Sequence, residues 1–94
     1  MKEQDLINAV KAYLKTIPHL FFYKAHGGYY GTAGIPDIII CYHGRFIALE
    51  CKCKGKKPTT LQQLTIDRIN KVGGIAVVVY TLEQVKEIIG GATA

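Results

Sequence analysis

The sequence predicts an α/β domain in which a mixed sheet is flanked by helices. Three observations carry this. Apolar residues at helical spacing open the chain, two short apolar strands are joined through His43-Gly44, and a capped helix leads into the β-branched run Ile75 to Tyr80. A hairpin followed by a helix and a returning strand puts antiparallel and parallel pairs in one sheet.

Each element has its own signature. Leu6, Val10, Tyr13, Leu14 and Ile17 mark an amphipathic helix from Glu3 to Thr16, ended by Pro18. Leu20 to Lys24 is aromatic-rich and reads as a short strand. Residues 27–34, Gly-Gly-Tyr-Tyr-Gly-Thr-Ala-Gly, hold four glycines in eight and read as a loop. Ile38 to Ile40 and Phe46 to Leu49 form the hairpin, and Lys54-Gly55-Lys56-Lys57-Pro58 is a basic turn. Thr59 with Gln62 fits a capping box, opening a helix that carries Leu61, Leu64, Ile69 and Val72 and stops at Gly73-Gly74. Ile75 to Tyr80 reads as a strand covered on both faces. A last helix spans Leu82 to Ile89, and Gly90 to Ala94 reads as a frayed tail. The order is αβββαβα, with no repeat and no linker, so residues 1–94 are expected to form one domain.

Composition narrows the function. Twelve Lys and Arg stand against seven Asp and Glu, a net charge of +5 that suits a polyanionic partner such as DNA. With 49% hydrophobic residues the chain is not disordered, and a domain this small gains from an oligomer that buries more surface. A charged amino terminus and the lack of a long apolar run argue against a secretory leader or a membrane span. Three cysteines do not make a disulfide framework, so a reducing, cytoplasmic compartment is expected.

Between residues 6 and 82 the only acids are Asp37, Glu50 and Asp67. If His43-Gly44 is a two-residue turn, residue 42 faces 45 and Asp37 falls opposite Glu50. Opposed residues point to one face, their Cβ atoms roughly 5 Å apart. Lys52 joins that face because strand side chains alternate. Two carboxylates this close repel unless a proton or a cation lies between them. Oxygen ligands suit Mg²⁺ or Mn²⁺, which keep waters and take phosphate oxygens as further ligands. The spacing D…ExK also fits a turn acid beside a solvated charge pair. What favours a site is its setting, on an apolar hairpin in a basic chain.

The residues Gly34-Ile35-Pro36-Asp37, Ala48-Leu49-Glu50-Cys51-Lys52, Thr59-Thr60-Leu61-Gln62 and Gly73-Gly74 together resemble the VRR-NUC domain of the PD-(D/E)XK nuclease superfamily, in its small standalone form found in phages and bacteria. The resemblance covers nearly the whole chain. It implies a restriction-endonuclease-like αβββαβ core and a metal-dependent endonuclease that hydrolyses DNA. It further implies that Asp37, Glu50 and the Cys51 backbone carbonyl bind the metal, that Lys52 is the catalytic lysine, and that Gln62 stands beside the site. Glu3 matches an acid that reaches the metal through water in related nucleases. Cys51 departs from the family, which usually has an aliphatic there, but its side chain is expected in the core. Small standalone members are similar to Holliday-junction resolvases and tend to be homodimers, so branched DNA, a homodimer and a bacterial or phage-infected cytoplasm are expected. The alternative is a catalytically inactive nucleic-acid-binding module of the same fold.

Other residues have two readings each. Glu3 lies on the buried stripe of the first helix, so it reads as a site acid or as an acid stabilised at a helix amino terminus. Lys54, Lys56 and Lys57 follow the site and are phosphate-binding candidates or a solvated turn. Lys24 and His26 flank the glycine loop, where each could meet a phosphate. Tyr29 and Tyr30 could stack on bases or pack in an interface. Zinc held by Cys41, His43, Cys51 and Cys53 is disfavoured, because Cys41 shares the face of Asp37 while Cys51 and Cys53 point to the other.

Overall fold

A computed structural model describes residues 2–26 and 33–92. The elements run α1 (Glu3–Lys15), β1 (Leu20–Lys24), β2 (Ile38–Tyr42), β3 (Arg45–Cys51), α2 (Thr60–Lys71), β4 (Ile75–Val79) and α3 (Leu82–Gly91). The strands form one sheet in the order β1-β2-β3-β4; β1, β2 and β3 are antiparallel in turn and β4 lies parallel to β3.

The hairpin turn has the two residues expected of it. His43 and Gly44 both take positive φ, 52° and 75°, the geometry of a tight turn whose twist matches the flanking strands. Tyr42 therefore faces Arg45 and Ile38 faces Leu49, which places Asp37 one step beyond the ladder, beside Glu50.

Strand alternation divides the core in two. Ile38, Ile40, Ile47, Leu49 and Cys51 pack against Leu6, Ile7, Val10 and Leu14 of α1 and Val85 and Ile89 of α3. On the opposite face the small Ala48 and Ala76, with Ile39, accept Ile66 of α2. This is the face to which Asp37 and Glu50 belong by alternation. Thr16 ends α1 by donating its hydroxyl to the Tyr13 carbonyl at 2.7 Å, two residues before Pro18. Thr59 caps α2 as expected: its hydroxyl accepts from Gln62 N–H at 3.2 Å, and Gln62 Oε1 accepts from Thr59 N–H at 2.8 Å. Thr81 and Gln84 form a second such box that opens α3.

β4 is covered on both faces as expected: Ile75, Val77 and Val79 pack with the cluster under α1 and α3, and Ala76 and Val78 with the cluster under α2. It is also an edge strand. Its free edge is occupied by Asn70 of α2, which donates to the Ala76 carbonyl at 2.9 Å and accepts from Ala76 N–H at 2.8 Å. Such a side chain blunts an edge that could otherwise pair with another strand. The tail does not fray from Gly90: α3 continues to Gly91, and Ala92 is buried in the core. No helix among the described residues is long and apolar enough to cross a membrane.

Candidate metal centre

Asp37 is the last residue of a glycine-led approach to β2. Gly34 has a φ of +83° and lies so close to α2 that an added Cβ would come within 2.8 Å of the Leu61 carbonyl oxygen and 2.9 Å of Thr65 Oγ1. Only glycine combines that conformation with that contact. The segment is thus pinned to α2 just before Pro36, which is buried. The Asp37 carbonyl accepts from Ala25 N–H at 2.8 Å, and its Oδ2 accepts from the backbone N–H of Cys51 at 2.8 Å. Both ends of the residue are fixed, and the carboxylate is turned toward β3.

Glu50 lies in the central strand and is 1% exposed. Its Oε2 is 3.8 Å from Lys52 Nζ, while Oε1 is buried with no donor to meet it. The neighbour it meets is a second carboxylate. Burial first, then the charge of Asp37 and a proton shared with it, push the Glu50 carboxyl up to about 8, against the pull of Lys52. One carboxylate oxygen each from Glu3, Asp37 and Glu50 lie within 4.8 Å of one another. Oxygens on opposite sides of one Mg²⁺ are about 4.2 Å apart at the usual bond length, so a slight contraction would bring this set around one ion. The orphaned buried oxygen, the acid neighbours and the all-oxygen donor set fit a hard divalent cation.

The other candidates fall in different places. Glu3, at the start of α1, is drawn into the cluster. Lys52 is at hand, with its side chain only 13% exposed. Lys24, read from sequence as a phosphate contact, is also at the centre: its Nζ is 3.9 Å from Asp37 Oδ1 and donates to the Ala25 carbonyl at 2.6 Å. Its place among the acids is signalled only by its position one residue before Ala25, whose amide pairs with Asp37. The Gln62 side-chain oxygen is used in the capping box, where it accepts from Thr59 N–H at the start of α2. The Cys51 thiol is fully buried in the core on the α1 side, as its alternation requires, and burial followed by the nearby carboxylates pushes it up to about 12. Lys54, Lys56 and Lys57 are exposed on the turn after β3, which the Tyr80 hydroxyl ties down by donating to the Lys56 carbonyl at 2.8 Å. His26 is exposed at the end of β1. Tyr29 and Tyr30 lie outside the described residues.

No family model and no curated protein matches the chain. Solved structures do. One described as a VRR_NUC domain is 25% identical, superposes with a TM-score of 0.78 and matches over 96% of each chain. A second, a VRR_NUC domain protein, is 24% identical with a TM-score of 0.76, over 96% of this chain and 86% of its own. End-to-end superposition shows that this chain has the fold of the VRR-NUC domain, a nuclease-family domain.

Proposed function

We propose that the protein is a divalent-metal-dependent DNA endonuclease that hydrolyses phosphodiester bonds, acting as a homodimer on branched DNA such as four-way junctions. The observation that carries this is Glu50, a carboxylate 1% exposed with an oxygen left without a donor, in a cluster with Asp37 and Glu3 and beside Lys52. A structural role alone leaves this arrangement costly, since a buried unpaired carboxylate is destabilising.

Asp37 and Glu50 would hold Mg²⁺ or Mn²⁺, with the Cys51 carbonyl as a further ligand and Glu3 reaching it through water. Bound there, the ion would acidify a water and offset charge on the phosphate. The chain's own groups supply the rest. The Cys51 N–H fixes Asp37 Oδ2, and the sheet fixes Glu50, so the carboxylates need little reorganisation. Lys52 orients the attacking water or meets the negative charge that develops on the phosphate oxygens. Gln62 supports the site from the capped start of α2. Lys54, Lys56, Lys57 and His26 lie outside the cluster, where phosphates flanking the cut strand would be met.

The test is cleavage of labelled four-way junction, flap, bubble and linear duplex DNA with Mg²⁺ or Mn²⁺, beside size-exclusion chromatography. Asp37→Ala and Lys52→Ala are expected to abolish cutting while DNA binding survives. Undiminished cutting by both variants would remove the site assignment, and DNA binding without cutting by the wild type would make the protein an inactive binding module. Paired symmetric nicks on the junction alone would identify a resolvase.

A further inference from the structure

Among the described residues, the sheet face that carries Asp37 and Glu50 is left open on its β1 side, and the residues there are aromatic. Across β1, β2 and β3 the pairing makes successive rows on that face: Phe21, Cys41 and Phe46, then Tyr23, Ile39 and Ala48, then Ala25, Asp37 and Glu50. Phe21 is 66% exposed, Tyr23 50% and Phe46 46%. Three large rings with about half of their surface in water are unusual in a domain whose other large apolar strand residues pack into two cores. Phe21 and Tyr23 stand with ring centroids 6.3 Å apart and planes tilted by 52°.

We infer that Phe21, Tyr23 and Phe46 form a stacking platform for unpaired bases of a nucleic acid whose backbone enters the Asp37 and Glu50 centre. Spacing and charge both point this way. Rows two residues apart along a strand are about 6.6 Å apart. Tyr23 therefore lies one row from the acids and Phe21 two rows, within reach of the first and second nucleotides beside a phosphate held at the centre. The surroundings suit phosphates: the chain has no acid from Leu6 to Pro36, and Arg45 and Phe46 line a hollow that continues along α2 past Arg68 and Lys71. A second copy of this chain is a poorer occupant, since each copy carries a charge of +5. Aromatic faces stack on every base, so the platform selects exposed bases and not a sequence. Base-paired duplex offers it none. The favoured substrate is thus DNA with single-stranded or splayed nucleotides next to the cut. The inference rests on the nuclease reading only for what lies at the end of the platform.

The test separates the two. In EDTA, anisotropy of a labelled oligothymidine and of a blunt duplex is measured with wild type, Phe21→Ala, Tyr23→Ala and Tyr23→Phe. Phe21→Ala and Tyr23→Ala are each expected to weaken oligothymidine binding about fivefold or more while duplex binding is unchanged, and Tyr23→Phe to bind as wild type. Cys41 lies between Phe21 and Phe46 and is exposed, so in a Cys53→Ser background its alkylation is expected to slow when the oligonucleotide is present. Equal losses on both DNAs, no loss, or no oligothymidine binding by the wild type would overturn the platform. Concentration-dependent protection of Cys41 without DNA would give the face to a second copy and overturn it too. Should binding and protection hold but Mn²⁺ support no cutting, the nuclease reading fails and the platform stands.

Discussion

Replacing Glu50 by Gln keeps the shape of the side chain and removes the charge that the fold buries. In the metal-free protein the folded Glu50 carboxyl is held at about 8, against 4.5 in its ordinary state. A raised value means that folding takes up a proton. The stability this provides is complete below pH 4.5, falls as pH rises toward 8 and is gone above it. At about 1.4 kcal/mol per pH unit, the shift sets a ceiling on the order of 5 kcal/mol. Relaxation and water entry around a buried charge reduce such penalties, and about 2 kcal/mol is a reasonable net value. For a domain of this length each kcal/mol moves Tm by about 4–8 °C. Glu50→Gln is therefore expected to raise Tm in EDTA by about 10 °C above pH 8 and to change it little near pH 4.5. Thermal melts of both proteins across this range measure the difference directly. Mn²⁺ is expected to raise the wild-type Tm and to leave the variant unmoved. Difference curves that stay flat between pH 4.5 and 8 would show that folding does not bury Glu50 as a neutral acid.

Two further substitutions test how the site is positioned. Gly34→Ala adds a Cβ against the Leu61 carbonyl at a φ of +83°, and is expected to cost about 2 kcal/mol or more in urea unfolding, with cleavage reduced because Asp37 is three residues on. Asn70→Ala strands the N–H and carbonyl of Ala76, a residue 2% exposed, and is expected to cost about 1–3 kcal/mol while cleavage by the folded fraction is retained. A destabilisation of Gly34→Ala no larger than that of an exposed surface change would deny the close approach of this segment to α2.

Much of this was legible because local rules decided it. A two-residue turn at His43-Gly44 admits one register, and that register alone brought Asp37 beside Glu50 and put Lys52 on their face. The Thr59 and Gln62 box set the start of α2 for the same reason. The misses are contacts between segments distant in sequence. Nothing in the run Ile75 to Tyr80 shows whether another strand lies beyond it, so its place at the sheet edge, and the role of Asn70 there, needed the fold. The helical spacing of Glu3 left it poised between a helix-end acid and a site acid, and only the docking of α1 brought it to the carboxylates. Lys24 reads as a basic residue at a strand end; its partner Asp37 is thirteen residues on and across the first strand pair. The open aromatic face likewise depends on α2 covering only part of the sheet.

The central claim is that Glu3, Asp37 and Glu50 share a divalent cation. Calorimetric titration of Mn²⁺ into wild type and Asp37→Asn, without DNA, tests it most directly. Saturable binding is expected for the wild type and is lost in the variant while the variant's fold is kept. Equal binding to both proteins, or none to the wild type at millimolar metal, would contradict the claim.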